Sequence, residues 1–105
     1  MNIPTSVQTS DRVRVPGKYS LEQNFPNPFN PETQIRFSIP RPGNVAISVY
    51  TLLGQKIALL SSGFRDAGAY VLSWNPRQAG SGTGVYIVRL ETEDVSLSRK
   101  MIYLR

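Results

Sequence analysis

One stretch of the chain decides the fold: NFPNPFNPETQIRFSIP, residues 24–40. Its first half contains Pro26, Pro28 and Pro31. Proline cannot donate a hydrogen bond to a sheet, and it pushes the residue before it out of the helical region, so this half is neither helix nor central strand. The second half, residues 33–39, alternates apolar and polar side chains, which predicts a strand with one buried face.

The proline-rich half is predicted to carry the chain from one layer of strands to another. Its backbone is held extended, while the missing donors prevent continuous ladder pairing. We expect Phe25 and Phe29 to cap one end of the core between the two layers. Asn27 and Asn30 are expected to bond nearby backbone groups in Asx-type turns.

Strand patterns recur along the rest of the chain at a spacing of about ten residues, as is typical of small sandwiches. Leu53-Gly54-Gln55 predicts a tight hairpin turn with glycine in a left-handed conformation. The segment FRDAG, residues 64–68, can hold at most one helical turn. Seven strands are predicted, over residues 19–23, 33–39, 44–50, 56–61, 68–75, 84–91 and 96–105.

These strands predict an all-β fold, a small immunoglobulin-like or fibronectin type III-like antiparallel β-sandwich of about seven strands. Residues 19–105 are predicted to form this one domain. Residues 1–18 are polar and without periodicity, which indicates a flexible linker or tail. Trp74 is expected to fill the core, with stacking against a sugar as the alternative.

Two of the predicted strands begin with the same pattern, Gly-x-Tyr. Gly68 and Gly84 are expected to allow a special backbone angle where each strand begins. Tyr70 and Tyr86 then share one face of their strand with every second residue that follows. We interpret this pattern as a folding requirement, with direct contact to a receptor as the alternative.

The composition argues against an enzyme. The 105 residues include no Cys and no His, which removes disulfides, thiolate nucleophiles and imidazole acid–base chemistry near neutral pH. Glu91, Glu93 and Asp94 cluster where a hairpin turn is expected, so they are predicted to be solvated, since a calcium site needs more converging oxygens. We therefore expect no catalytic residue, no metal and no cofactor.

The net charge is +5, and nine of the 12 basic residues are arginines. These arginines are scattered and form no nucleic-acid motif, so we expect no nucleic-acid partner and instead a basic surface or attraction to an anionic cell envelope. No segment approaches the ~20 apolar residues of a membrane helix. The N-terminus lacks the pattern of a signal peptide.

Several separate motifs follow one another along the chain. They are PNPFNP before a strand, Val-Tyr-x-x-x-Gly closing a hairpin, two Gly-x-Tyr strands, and a lysine followed by alternating aliphatic residues. In this order they resemble the type A C-terminal sorting domain of the type IX (Por) secretion system. The resemblance covers residues 19–105, with one departure at Asp66-Ala67, where the family often has proline. The positions that carry it are Pro26, Asn27, Pro28, Phe29, Gly68, Tyr70, Gly84, Tyr86, Lys100, Met101, Ile102, Tyr103 and Leu104.

The resemblance implies a non-catalytic secretion signal domain. Such a domain follows a covalently linked parent protein, which crosses the inner membrane with its own N-terminal signal. The domain folds in the periplasm and is recognised by the type IX outer-membrane translocon. A sortase-like cysteine protease then removes it, in or near residues 1–18 of this chain, and the parent is attached at the outer-membrane surface or released outside the cell.

The resemblance assigns recognition by the translocon to the terminal strand, residues 100–104. As the last strand to pair, it can offer its backbone edge to a receptor by β-augmentation. Arg99 and Lys100 place positive charge near that edge, where acidic receptor groups can pair with them. The alternative is that these cations only protect the edge against aggregation.

Two other functions stay open at this point. An accessory module that binds polysaccharide would need an exposed aromatic platform, for which Trp74, Tyr50 and Tyr103 are the candidates. A structural or assembly subunit of a surface protein would use residues 1–18 to donate a strand to a neighbour.

Overall fold

The computed structural model describes residues 17–79 and 82–104. Most of the predicted tail, residues 1–16, lies outside this part of the chain. A short 3₁₀ helix, Pro76–Ala79, follows the fifth strand. The strands are β1 (Ser20–Leu21), β2 (Thr33–Ile39), β3 (Gly43–Thr51), β4 (Lys56–Arg65), β5 (Gly68–Trp74), β6 (Gly84–Thr92) and β7 (Ser96–Tyr103).

The strands form two sheets, which confirms the predicted all-β sandwich. One sheet has the order β1-β2-β5 and the other has the order β4-β3-β6-β7. All the pairs between these strands are antiparallel. Side chains in β2 alternate between core and solvent, as predicted. Ile35, Phe37 and Ile39 are buried, and the residues between them face outward. Opposite them, Ile47, Val49 and Val88 complete the core from the second sheet.

The proline-rich segment crosses between the two sheets, as predicted. Phe25 pairs with Gln34 beside β2, and Phe29 pairs with Tyr103 at the end of β7. Phe29 is buried, with 2% of its surface exposed, but Phe25 is 74% exposed. The prediction that both rings cap the core is therefore right for Phe29 and wrong for Phe25. Paired residues share a face of a sheet, and the partner of Phe25, Gln34, points to solvent.

Two smaller expectations on the strand lengths need correction. The first strand has two residues instead of five, because the chain then turns toward β7, where Gln23 donates a hydrogen bond to the Lys100 carbonyl. The fourth strand does not end at residue 61. It continues through Phe64 and Arg65, which pair with the start of β3. The FRDAG segment therefore begins as strand, which is within the predicted limit of at most one helical turn.

The hairpin turn between β3 and β4 has the predicted form. Gly54 has a φ of 91°, in the left-handed region where glycine is favoured. The Thr51 amide donates to the Gln55 carbonyl at 2.9 Å and closes the turn.

Four aromatic rings form a continuous cluster within the core. The ring of Phe29 lies 5.2 Å from that of Tyr103 and 5.9 Å from that of Trp74, and Trp74 meets the ring of Tyr86 edge-on at 5.4 Å. Trp74 is only 5% exposed, which confirms its predicted place in the core. The cluster joins β5, β6 and β7 to the crossing segment.

The two phenylalanines of the crossing segment provide a matched pair for testing this packing. We expect Phe29→Ala to lower the free energy of unfolding by about 3–5 kcal/mol, because it removes a buried ring and leaves a cavity. Phe25→Ala is expected to change it by less than about 0.5 kcal/mol, because that ring is exposed. Urea denaturation followed by Trp74 fluorescence measures both values, and equal losses would contradict the described packing.

Candidate recognition surface

The terminal strand β7 lies at an edge of the four-stranded sheet, and its side chains alternate between core and solvent. Met101 and Tyr103 are fully buried, with 0% exposure. Lys100 is exposed, Ile102 is half-buried, and Leu104, just after the strand, is 51% exposed. Of the five residues assigned to recognition, two therefore hold the fold and three are within reach of a partner.

The outer backbone edge of β7 is already occupied at its end. The Phe29 amide donates to the Ile102 carbonyl at 2.9 Å, and the Leu104 amide donates to the Phe29 carbonyl at 3.0 Å. The Ile102 amide donates to Oδ1 of Asn27 at 2.8 Å. The structure thus does not offer, at Ile102 and Leu104, the free edge that β-augmentation requires.

The same contacts correct the expectation for Asn27. Its side chain bonds a backbone amide 75 residues away and does not close a local turn. A local bond of the expected kind is made instead by Asn24, whose Nδ2 donates to the Pro26 carbonyl at 3.0 Å. The PNPFNP motif and the terminal strand are therefore one structural unit, although they lie at opposite ends of the domain sequence.

The two basic residues of the terminal strand have different environments. Nε of Arg99 donates to the Leu21 carbonyl at 2.7 Å and so links β7 to β1 in the other sheet. Lys100 points away from the core, as its cross-strand partner Ile87 does. Arg99 consequently contributes to closure of the sandwich, and Lys100 is the cation available to a partner.

The two Gly-x-Tyr motifs make the same contact at two places in the fold. The hydroxyl of Tyr70 donates to the Asp66 carbonyl, four residues earlier, at 2.5 Å, and that of Tyr86 donates to the Gly82 carbonyl. Both glycines have a positive φ angle. It is 146° at Gly84 and 159° at Gly68, where it approaches a fully extended backbone. These contacts support the folding role of the motif.

The departure from the family pattern at Asp66-Ala67 leaves this contact intact. Tyr70 bonds the backbone carbonyl of Asp66, so the contact does not depend on which side chain stands there. Arg65 lies over the Tyr70 ring, with its guanidinium carbon 4.6 Å from the ring centroid.

The acidic turn between β6 and β7 is partly held by the start of the domain. The Tyr19 hydroxyl donates to Oδ2 of Asp94 at 2.7 Å, and Nε of Arg41 lies 3.4 Å from the same oxygen. Hydrogen bonding to Tyr19 and the negative charge of Asp94 raise the pKa of Arg41 above its ordinary value. This cluster is therefore a structural tie between the domain entry and the turn.

None of the three aromatic side chains that were candidates for a sugar platform is freely exposed. Trp74 and Tyr103 are buried, and Tyr50 is half-buried beneath two cationic side chains. No group of three His, Cys, Asp or Glu side chains in residues 17–79 and 82–104 is placed to hold a metal ion. Over the same residues, no helix has the length and apolar character needed to cross a membrane.

These features define a class of protein. It is a small β-sandwich whose terminal strand is anchored by its buried side chains and keeps the others on its outer face. The family model described as the secretion system C-terminal sorting domain matches residues 23–104, and the chain belongs to this family. The family is non-catalytic and acts as the C-terminal sorting signal of type IX secretion. Such a domain marks a secreted protein bound for the cell surface or the extracellular space.

A comparison with solved structures agrees on the fold. The chain is similar to part of the crystal structure of dimeric latent PorU from Porphyromonas gingivalis, with a TM-score of 0.57 and 22% sequence identity. The similarity covers 82% of this chain and 9% of that one, so this chain spans a small part of the length of PorU. No curated protein matches the chain.

The hydrogen bond between Ile102 of β7 and Asn27 can be tested by removing the Asn27 side chain. We expect Asn27→Ala to lower the free energy of unfolding by about 1 kcal/mol, because one hydrogen bond is lost. Exchange of the Ile102 amide with solvent should become about fivefold faster, as measured by NMR. Asn30→Ala, at an exposed position of the same motif, is the control, and equal exchange in both variants would contradict the assigned bond.

Proposed function

We propose that this chain directs a longer, covalently linked parent protein through the type IX outer-membrane translocon, and that the translocon contacts the outward side chains of the terminal strand. The observation that carries the proposal is the alternation in β7. Burial of Met101 and Tyr103 anchors the strand, while Lys100, Ile102 and Leu104 remain on its outer side. A recognition element has to be both held in place and accessible, and this strand is both.

The parent protein would precede the domain and join it before the first strand. Residues 1–18 would form the linker, and Gly17 and Lys18 are exposed at the point where the first strand begins. A sortase-like cysteine protease would cleave in or near this linker, after transit of the folded domain through the periplasm. The domain itself would take no part in that chemistry, because the chain contains no His and no Cys.

The direct experiment fuses the domain to a periplasmic reporter in a host that has type IX secretion. Deletion of residues 100–105 is a poor test of recognition alone, because it also removes Met101 and Tyr103 from the core. Loss of export by that deletion would not separate unfolding from lost recognition. Substitutions on the outer side of the strand avoid this problem.

We expect the pair Lys100→Glu and Leu104→Asp to lower the amount of reporter at the cell surface by about tenfold, because two accessible contacts are lost. The free energy of unfolding should stay within about 1 kcal/mol of its original value, since neither side chain is in the core. Surface labelling of intact cells measures the reporter, and urea denaturation measures the stability.

The opposite face of the domain provides the control pair, Arg36→Glu and Val71→Asp. These two residues are cross-strand partners on the outer side of the three-stranded sheet, and Val71 is 50% exposed, close to the 51% of Leu104. Equal export by both pairs would contradict recognition through the terminal strand. Equal export of the reporter without the whole domain would contradict the sorting function in this host.

A further inference from the structure

The outer face of the four-stranded sheet carries a row of side chains that crosses all four strands. Lys56 of β4 pairs with Tyr50 of β3, Tyr50 pairs with Ile87 of β6, and Ile87 pairs with Lys100 of β7. Because paired residues share a face, these four side chains lie side by side on the face away from the core. The row places a cation at each end and apolar surface between them.

Arg89 leans onto the centre of this row. Its guanidinium carbon lies 4.8 Å from the centroid of the Tyr50 ring, and Nζ of Lys56 lies 5.9 Å from the same centroid. A guanidinium that stacks on a ring with its face keeps its edge for planar, bidentate acceptors such as carboxylates. Contact with the Tyr50 ring therefore limits where the Arg89 guanidinium can lie.

Two polar atoms, one on Arg89 and one on its cross-strand neighbour, lack hydrogen-bond partners. Nε of Arg89 and Oγ of Ser48 are both buried and have no hydrogen-bond partner among the described residues. Ser48 is the cross-strand partner of Arg89, and it is 0% exposed although it lies on the outer face. Both atoms are closed to solvent, so an acceptor from outside would reach Arg89 through its Nη atoms, which are not among the buried unpaired atoms.

The charge on this face identifies the acceptor as anionic. Lys56, Arg89 and Lys100 contribute three positive charges, while Glu91, which pairs with Ala46 on the same face, contributes one negative charge. The salt bridge found in the described residues, between Arg41 and Asp94, lies elsewhere. The cations of the row are thus available to a partner.

The apolar part of the face distinguishes between anionic partners. Ile87 and Ile102 are half-buried beside the cations, Leu59 is 57% exposed next to Ser48, and Leu104 is 51% exposed beyond Ile102. A partner that only supplies negative charge would leave these aliphatic side chains in water. A protein surface with carboxylates around aliphatic side chains would cover them and pair the cations together.

We propose that this face, the basic sheet face defined by Tyr50, Lys56, Ile87, Arg89, Lys100 and Ile102, docks on an acidic protein surface, with Arg89 binding a carboxylate edge-on. The proposal rests on the proposed function, since Lys100 and Ile102 belong to both sites. It goes further, because it extends recognition from β7 across the sheet to β4. Lys56, three strands away from the terminal strand, is the residue that separates the two proposals.

The test compares charge changes on the two outer faces of the domain in the reporter fusion. Lys56→Glu and, separately, Arg89→Gln are expected to reduce surface reporter by about tenfold each, because each removes a charged contact. Arg36→Glu makes the same charge change as Lys56→Glu on the opposite sheet and is expected to leave export unchanged. Thermal unfolding of each purified domain selects the variants that are folded.

The outcomes separate the two proposals. If Lys100→Glu with Leu104→Asp abolishes export while Lys56→Glu and Arg89→Gln behave like Arg36→Glu, recognition is confined to the terminal strand and the extended face is wrong. If no variant on either face affects export, although the domain is required for it, both assignments of residues are wrong. Loss at Lys56 and Arg89 with an intact control supports the face.

A binding experiment on the purified domain identifies the kind of anion. The probes are a synthetic peptide of alternating Glu and Leu and, separately, phosphatidylglycerol vesicles. We expect the peptide to shift the NMR signals of Arg89 Nε–H and the Tyr50 ring, with no shift at Arg36, and salt to weaken the effect. Binding of the vesicles without binding of the peptide would overturn the proposal in favour of a lipid surface, and binding of neither would also overturn it.

Discussion

The pairing of Phe29 with the end of β7 is the constraint on which the rest of the sandwich depends. The crossing segment pairs with β2 through Phe25 and with β7 through Phe29, so it joins the two sheets. The Phe29 ring simultaneously brings Tyr103 and Trp74 into contact. Prolines suit this segment because it makes isolated bridges rather than a continuous ladder, and so needs few backbone donors.

The terminal strand combines packing with the proposed recognition, and the alternation of its side chains keeps the two separate. Its inward side chains are part of the aromatic and aliphatic core, and its outward side chains continue the row that begins at Lys56 on β4. Since successive residues of a strand point to opposite faces, a short motif can specify both the packing and the proposed recognition. This accounts for the mixture of buried and accessible positions in residues 100–104.

The parts of the fold that depend on local sequence could be predicted. Three patterns depend only on residues that are close together in the sequence, and the structure has them as expected. They are the alternation in residues 33–39, the glycine turn at Gly54 and the two Gly-x-Tyr patterns. Pairing over long distances could not be predicted. The exposure of Phe25 depends on its partner Gln34, and the bond from Asn27 to β7 depends on which strands become neighbours.

The same limit applies to the candidate site. Lysine and leucine in the terminal strand were recognisable from the motif, but Arg89 and Tyr50 lie 39 residues apart and meet only through the register of β3 with β6. No local pattern marks either of them as part of a surface. The occupied edge of β7 was equally invisible, because its donors and acceptors come from the first residues of the domain.

The closure of the sandwich by its final strand has a consequence for protein synthesis, which proceeds from the N-terminus. Met101 and Tyr103 complete the interior, and Phe29 has no main-chain partner on β7 until that strand has been synthesised. A product that terminates before this strand thus lacks a finished interior. Completion of the fold therefore requires that the last strand of the domain has been synthesised.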